Sequence, residues 1–165
     1  MKKEWSDLLQ VLAAIYQHYQ ETLQLGKIKK EALVAYRVAE LEELTKKEES
    51  LILQISRLEG QRAAIVRQIA AFYQLEGDAI SLEAVRKLAD PEVEQQMLKL
   101  QEDFVQVLSE LAQINKVNAA LIEQGLFFIN YNLNIMTQNS VEPAYASRGQ
   151  AIERAPGRRV FDSKA

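Results

Sequence analysis

No cysteine occurs in the chain, which excludes disulfides, thiolate metal ligands and a thiol nucleophile. There is one histidine, His18, placed beside Tyr19 in a helical stretch with no serine or cysteine partner that the sequence sets near it. A Glu-x-x-His metal pair needs a second histidine, so neither nucleophilic nor metal-assisted catalysis has a carrier, and no cofactor is expected. The glycines outside the C-terminal stretch, at 26, 60, 77 and 125, are isolated and form no phosphate-binding loop. Nowhere do 18 uncharged apolar residues run together, so no membrane insertion is expected. Lys2 and Lys3 mimic the start of a signal peptide, but Glu4, Asp7, Gln10 and Gln17 interrupt any apolar core behind them. The expected compartment is the cytoplasm. Nor is there a net positive charge: 20 Lys and Arg stand against 23 Asp and Glu, for a net charge of -3 and a pI near 5.4. KIKK at 27 to 30 and Arg158 with Arg159 do not make a basic face, and no nucleic-acid partner is expected.

What fills the 165 residues is helix-forming material, interrupted by only 6 Gly and 3 Pro. An all-α fold follows. Trp5, Leu8, Leu12, Ile15, Tyr19 and Leu23 recur at helical spacing and predict a first helix over about residues 3 to 25, closed by Gly26. A second helix is predicted from about 28 to 74. Its apolar residues step by three and four through Leu41, Leu44, Leu51, Ile55, Leu58, Ile65, Ile69 and Phe72, with Glu48 and Arg62 as the two charged steps. Acidic residues such as Glu42, Glu43, Glu48 and Glu49 adjoin Lys46 and Lys47 and read as a solvated charged face.

Ser81 is placed to cap a short connecting helix over Leu82, Val85 and Leu88, and Asp90 with Pro91 opens the last one. That helix is predicted from Pro91 to about Thr137, with a seam of Val93, Met97, Leu100, Phe104, Val107, Leu111, Ile114, Asn118, Leu121, Gly125, Phe128, Asn132 and Ile135. Two such long seams joined by a short linker fold back antiparallel. The expected architecture is an elongated helical hairpin with the N-terminal helix alongside, spanning residues 1 to 137, and a flexible C-terminal tail from 138 to 165. The tail holds Pro143, Pro156, Gly149 and Gly157 and carries five Lys or Arg against three Asp or Glu. Heptad seams serve hairpins and homodimers alike, so the oligomeric state stays open.

The last helix changes along its length. As far as Ile114 its apolar residues fit an arc of about 120°, the width of one core-facing stripe. Beyond Asn118 they spread over about 180°, through Leu121, Ile122, Leu126, Phe128, Ile129, Leu133, Ile135 and Met136, with Phe127 on the opposite side. Two readings account for the surplus. In one, the first helix and the start of the second enclose it. In the other, part of it is an exposed stripe for an amphipathic helix of another protein. Asn118, Gly125 and Asn132 recur every seven residues there, either as register devices or as marks of a surface that binds and releases.

INKVNAALIEQGLFFINYNLNIMTQ, from Ile114 to Gln138, resembles the C-terminal helix of FlgN-family chaperones in its run of Asn, Leu-Ile, Leu, an aromatic, Ile and Asn. RLEGQRAAIVRQI, residues 57 to 69, is similar to the family as well, as is a tail with Tyr, Gly and a closing Phe-Asp before Lys-Ala. The likeness covers nearly the whole chain. It implies a flagellar type III export chaperone that holds the C-terminal helices of the hook-filament junction proteins FlgK and FlgL and delivers them to the export gate protein FlhA. On this sequence the implied client surface is Leu121, Ile122, Gly125, Leu126, Phe128, Ile129, Asn132, Leu133 and Met136, and the implied gate-docking residue is Tyr145. The ERAPGRR stretch departs from the shorter tails of the family and alters the spacing to Phe161. The alternative is a structural coiled-coil or oligomerisation protein with no client.

Overall fold

The computed structural model describes residues 1–75 and 81–139, without the side chains of 138 and 139. Gly77, Asp78 and the tail with Tyr145 and Phe161 lie outside the described residues, and with them the expectation of tail flexibility. The described residues form four helices: α1 (Lys2–Val34), α2 (Val38–Phe72), α3 (Leu82–Arg86) and α4 (Pro91–Asn139). By its contacts the chain divides into two units, Met1–Phe128 and Ile129–Ala165.

Within the first unit α1 is the shared partner. Lys29 near its end meets Glu48 near the start of α2, while Leu12 shares a buried cluster with Val66 near the end of α2, so these two helices are antiparallel. Tyr16 meets Phe104, and Gly26 meets Ile114, so α1 and α4 run the same way. The two longest helices, α2 and α4, are therefore antiparallel, with the N-terminal helix packed alongside and α3 connecting them. This is the expected all-α architecture. Its core gathers Trp5, Leu8 and Leu12 from α1, Val66 and Ile69 from α2, Val85 from α3 and Met97 from α4. Leu8, Ile69 and Val85 are wholly enclosed, and each such side chain contributes about 1.5–3 kcal/mol through burial.

Every apolar seam position of α2 from Leu41 to Ile69 is buried or half-buried. Phe72, in the last turn, is exposed. The two charged steps are accommodated rather than avoided. Glu48 is about four-fifths buried and receives Lys29 Nζ at 2.6 Å from α1, so it does not belong to the solvated face expected for it. Arg62 turns to Glu59 on its own helix, also at 2.6 Å. Lys46 does pair with Glu42 on an exposed face, at 3.1 Å.

Gly26 does not end α1. The helix runs through it for eight more residues to Val34, and Gly26 is buried where α4 passes closest: a Cβ there would lie 3.1 Å from Ile114 Cγ2. The real stop comes at Tyr36, in the left-handed region at φ 54°. Arg37 N–H donates to Ala32 O and Tyr36 N–H to Leu33 O, the paired bonds of a Schellman motif. The same pair closes α2, where Leu75 donates to Ala70 and Gln74, at φ 52°, donates to Ala71. Ser81 caps α3 as expected, accepting from Ala84 N–H at 3.1 Å.

Candidate functional site

The seam of α4 keeps its predicted register. From Val93 to Gly125 each seam residue is buried or half-buried, and Tyr16 and Tyr19 close on Phe104 edge-on at 5.6 and 6.1 Å. Asn118 is 4% exposed and its Nδ2 donates to Gly26 O at 2.9 Å, while its Oδ1 has no partner among the described residues. Asn118 thus belongs to the α1–α4 contact and is lost to any outer surface. Gly125, seven residues on, is half-buried, yet a Cβ there would meet nothing within 4 Å.

Beyond Gly125 every described side chain but Asn132 is exposed. The contact of Gly26 with Ile114 and Asn118 fixes the register, and from it the eight remaining residues of α1 reach only as far as about Ile122. Of the implied client residues in the first unit, Leu121 and Gly125 are half-buried, whereas Ile122, Leu126 and Phe128 are exposed. In the second unit Ile129, Leu133 and Met136 are exposed, Met136 to 69%, and Asn132 is half-buried. The reading in which the chain's own helices enclose all the surplus therefore fails. Two further exposed aromatic side chains were not in the implied set: Phe127, at 74%, and Tyr131. Both fall off the arc that the wheel singles out, so only their aromatic character marked them.

The electrostatics of this stretch are nearly blank. From Val117 to Thr137 the only formal charge is Glu123, and the polar side chains are amides, a threonine and the Tyr131 hydroxyl. Even so, none of the described helices is long and apolar enough to cross a membrane. Elsewhere, a cavity of about 340 Å³ lies near α3, lined by Leu12, Glu59, Arg62, Arg86, Met97 and Phe104 among others. Its ionic groups are already paired: Arg62 takes Glu59 at 2.6 Å, while Arg86 takes Glu94 at 3.0 Å and Glu83 takes Lys87 at 3.1 Å. Among the described residues no cluster of His, Asp or Glu is arranged to hold a metal ion. His18 sits in a boundary position with Nδ1 3.2 Å from Glu21 Oε2.

The end of α4 is thus apolar, exposed and nearly uncharged. The model of the FlgN protein family matches residues 1–153. The chain belongs to the FlgN family. It is 26% identical over 159 residues to the uncharacterized protein YvyG of Bacillus subtilis strain 168, covering 95% of this chain and 94% of that one. No solved structure matches. FlgN is a chaperone family, and its members' role is of the flagellar export chaperone kind, binding flagellar proteins.

Proposed function

We propose that this FlgN-family chain works in the cytoplasm, holding the C-terminal helices of the hook-associated proteins FlgK and FlgL through the exposed end of α4. A free amphipathic client helix would associate or polymerise early, and covering its apolar stripe removes that route. The observation that carries the reading is the exposure of Ile122, Leu126 and Phe128, and of Ile129, Leu133 and Met136 after them, on a stretch with one charge. Exposed apolar side chains at helical spacing suit a helix laid against them, and Gly125 leaves room for a close approach. A complex burying on the order of 800 Å² per partner is specific yet reversible, with a few anchors such as Phe128 setting its strength.

Co-purification with FlgK and FlgL, each with and without its final helix, tests the proposal. Complexes are expected only when that helix is present. Equal recovery without it would reject this mode of binding. Delivery to FlhA through Tyr145 is the second half of the proposal and rests on the family likeness of the tail; Tyr145→Ala is expected to spare client capture and weaken gate docking, and undiminished docking removes that half.

A further inference from the structure

A second seam runs along α4 beside the buried one, offset from it by one residue. Leu98, Gln101, Val105, Leu108, Ala112, Asn115, Ala119 and Ile122 step by three and four without a break, each directly following a residue that faces the core. All eight are exposed, Val105 to 65%. At 1.5 Å per residue the seam is roughly 37 Å long. It lies wholly within the first unit and upstream of Leu126, so it is separate from most of the surface assigned to a client.

We infer that this seam is a homodimer interface, in which α4 of one copy pairs antiparallel with α4 of a second about an axis near Glu110. The charges beside the seam select both the partner and the register. Antiparallel pairing places Leu98 against Ile122 of the second copy, Leu108 against Ala112, Val105 against Asn115 and Gln101 against Ala119. In that register Glu102 falls opposite Lys116 of the second copy, and the symmetry repeats the pair. Among the described residues neither side chain has an ionic partner within its own chain, and both are exposed. Sliding the pairing one heptad one way sets Glu102 against Glu123, and sliding it the other way sets Glu102 against Ser109, so like charge or lost charge disfavours both neighbours. α2 approaches the seam at Gln101, which lines the cavity shared with Glu59 and Arg62. The residue opposite is Ala119, which needs little room. A seam with two alanines and two amides makes a modest interface, with association in about the micromolar range.

Sedimentation equilibrium of the full chain from about 1 to 200 µM tests the inference, with circular dichroism to verify helicity. A dimer is expected, and Leu108→Asp, at an exposed site next to the axis, is expected to leave a helical monomer. Glu102→Lys and Lys116→Glu alone should each weaken association about tenfold or more. The double variant E102K/K116E should return to within about threefold of the parent, because the swap restores both pairs. A chain that stays monomeric throughout, or a dimer indifferent to Leu108→Asp, overturns the interface. Failure of the double variant to recover overturns the antiparallel register. None of these outcomes depends on client binding, which is scored separately by co-purification.

Discussion

Asn118 on α4 reaches the main-chain carbonyl of Gly26 on α1, and it does so because Gly26 has no side chain to hold the two helices apart. The two residues act together. Gly26→Leu is expected to push α4 outward, break the amide bond and cost about 2–3 kcal/mol, as overpacking in a tight interface does. Asn118→Ala should cost only about 1 kcal/mol, since one hydrogen bond is lost while an unpartnered buried oxygen is removed with it. Urea unfolding of both variants checks the order. A larger loss for Asn118→Ala would contradict it.

Gly60 and Gly125 provide the contrast. Nothing lies within 4 Å of a Cβ at either site, so alanine gains helix propensity without a clash. Each substitution is expected to stabilise the chain by about 0.5–1 kcal/mol. If Gly125 admits a client helix, G125A should weaken client capture while raising the thermal midpoint, and G60A should raise the midpoint alone.

Tyr36 and Gln74 hold left-handed backbone at the ends of α1 and α2, a conformation that disfavours residues with a Cβ. Gln74→Gly is expected to stabilise by about 0.5–1 kcal/mol, measured as a rise in the urea midpoint at unchanged slope. Tyr36→Gly should follow the same sign, because Tyr36 is exposed and little packing is lost.

Lys29 and Glu48 are both about four-fifths buried and bridge α1 to α2. A double-mutant cycle with Lys29→Met and Glu48→Gln should give a coupling of about 0.5–1 kcal/mol, shrinking as salt rises. Glu48→Leu completes the apolar seam and is expected to be neutral or stabilising. Marked destabilisation by Glu48→Leu would mean that the ion pair, not the seam, holds this stretch.

Phe128→Asp and Leu126→Asp should leave helicity intact and stability within about 0.5 kcal/mol, as substitutions at exposed sites do. Client capture should be lost in both. Unfolding of either variant would return these side chains to the core and favour an architectural role.

Much of this could be read from the residues, and the reasons differ by feature. The seams of α2 and α4 were legible because steps of three and four tolerate isolated charges, and burial follows them from Leu41 to Ile69 and from Val93 to Gly125. Gly26 misled because the same residue serves as a helix stop and as a point of close approach, and only the neighbour Ile114 tells them apart. Tyr36 and Gln74 carry no compositional mark of left-handed backbone. Glu48 looked like part of a solvated run, since its pairing with Lys29 on another helix leaves no trace in spacing. Exposure of the α4 end was undecided in the sequence because it depends on where α1 stops, and α1 runs to Val34 rather than to residue 25. The outer seam of α4 has no clear sequence signature because Gln101, Ala112, Asn115 and Ala119 dilute its apolar pattern.

A helix surface with Glu123 as its lone charge between Val117 and Thr137 has almost nothing with which to sort visitors by sign. If a client helix docks there as proposed, discrimination falls to contour: the width left by Gly125 and the bulk of the neighbouring phenylalanines would decide which guests sit flush. Such recognition should be almost indifferent to ionic strength, and a tight fit should register as a fall in heat capacity on complex formation.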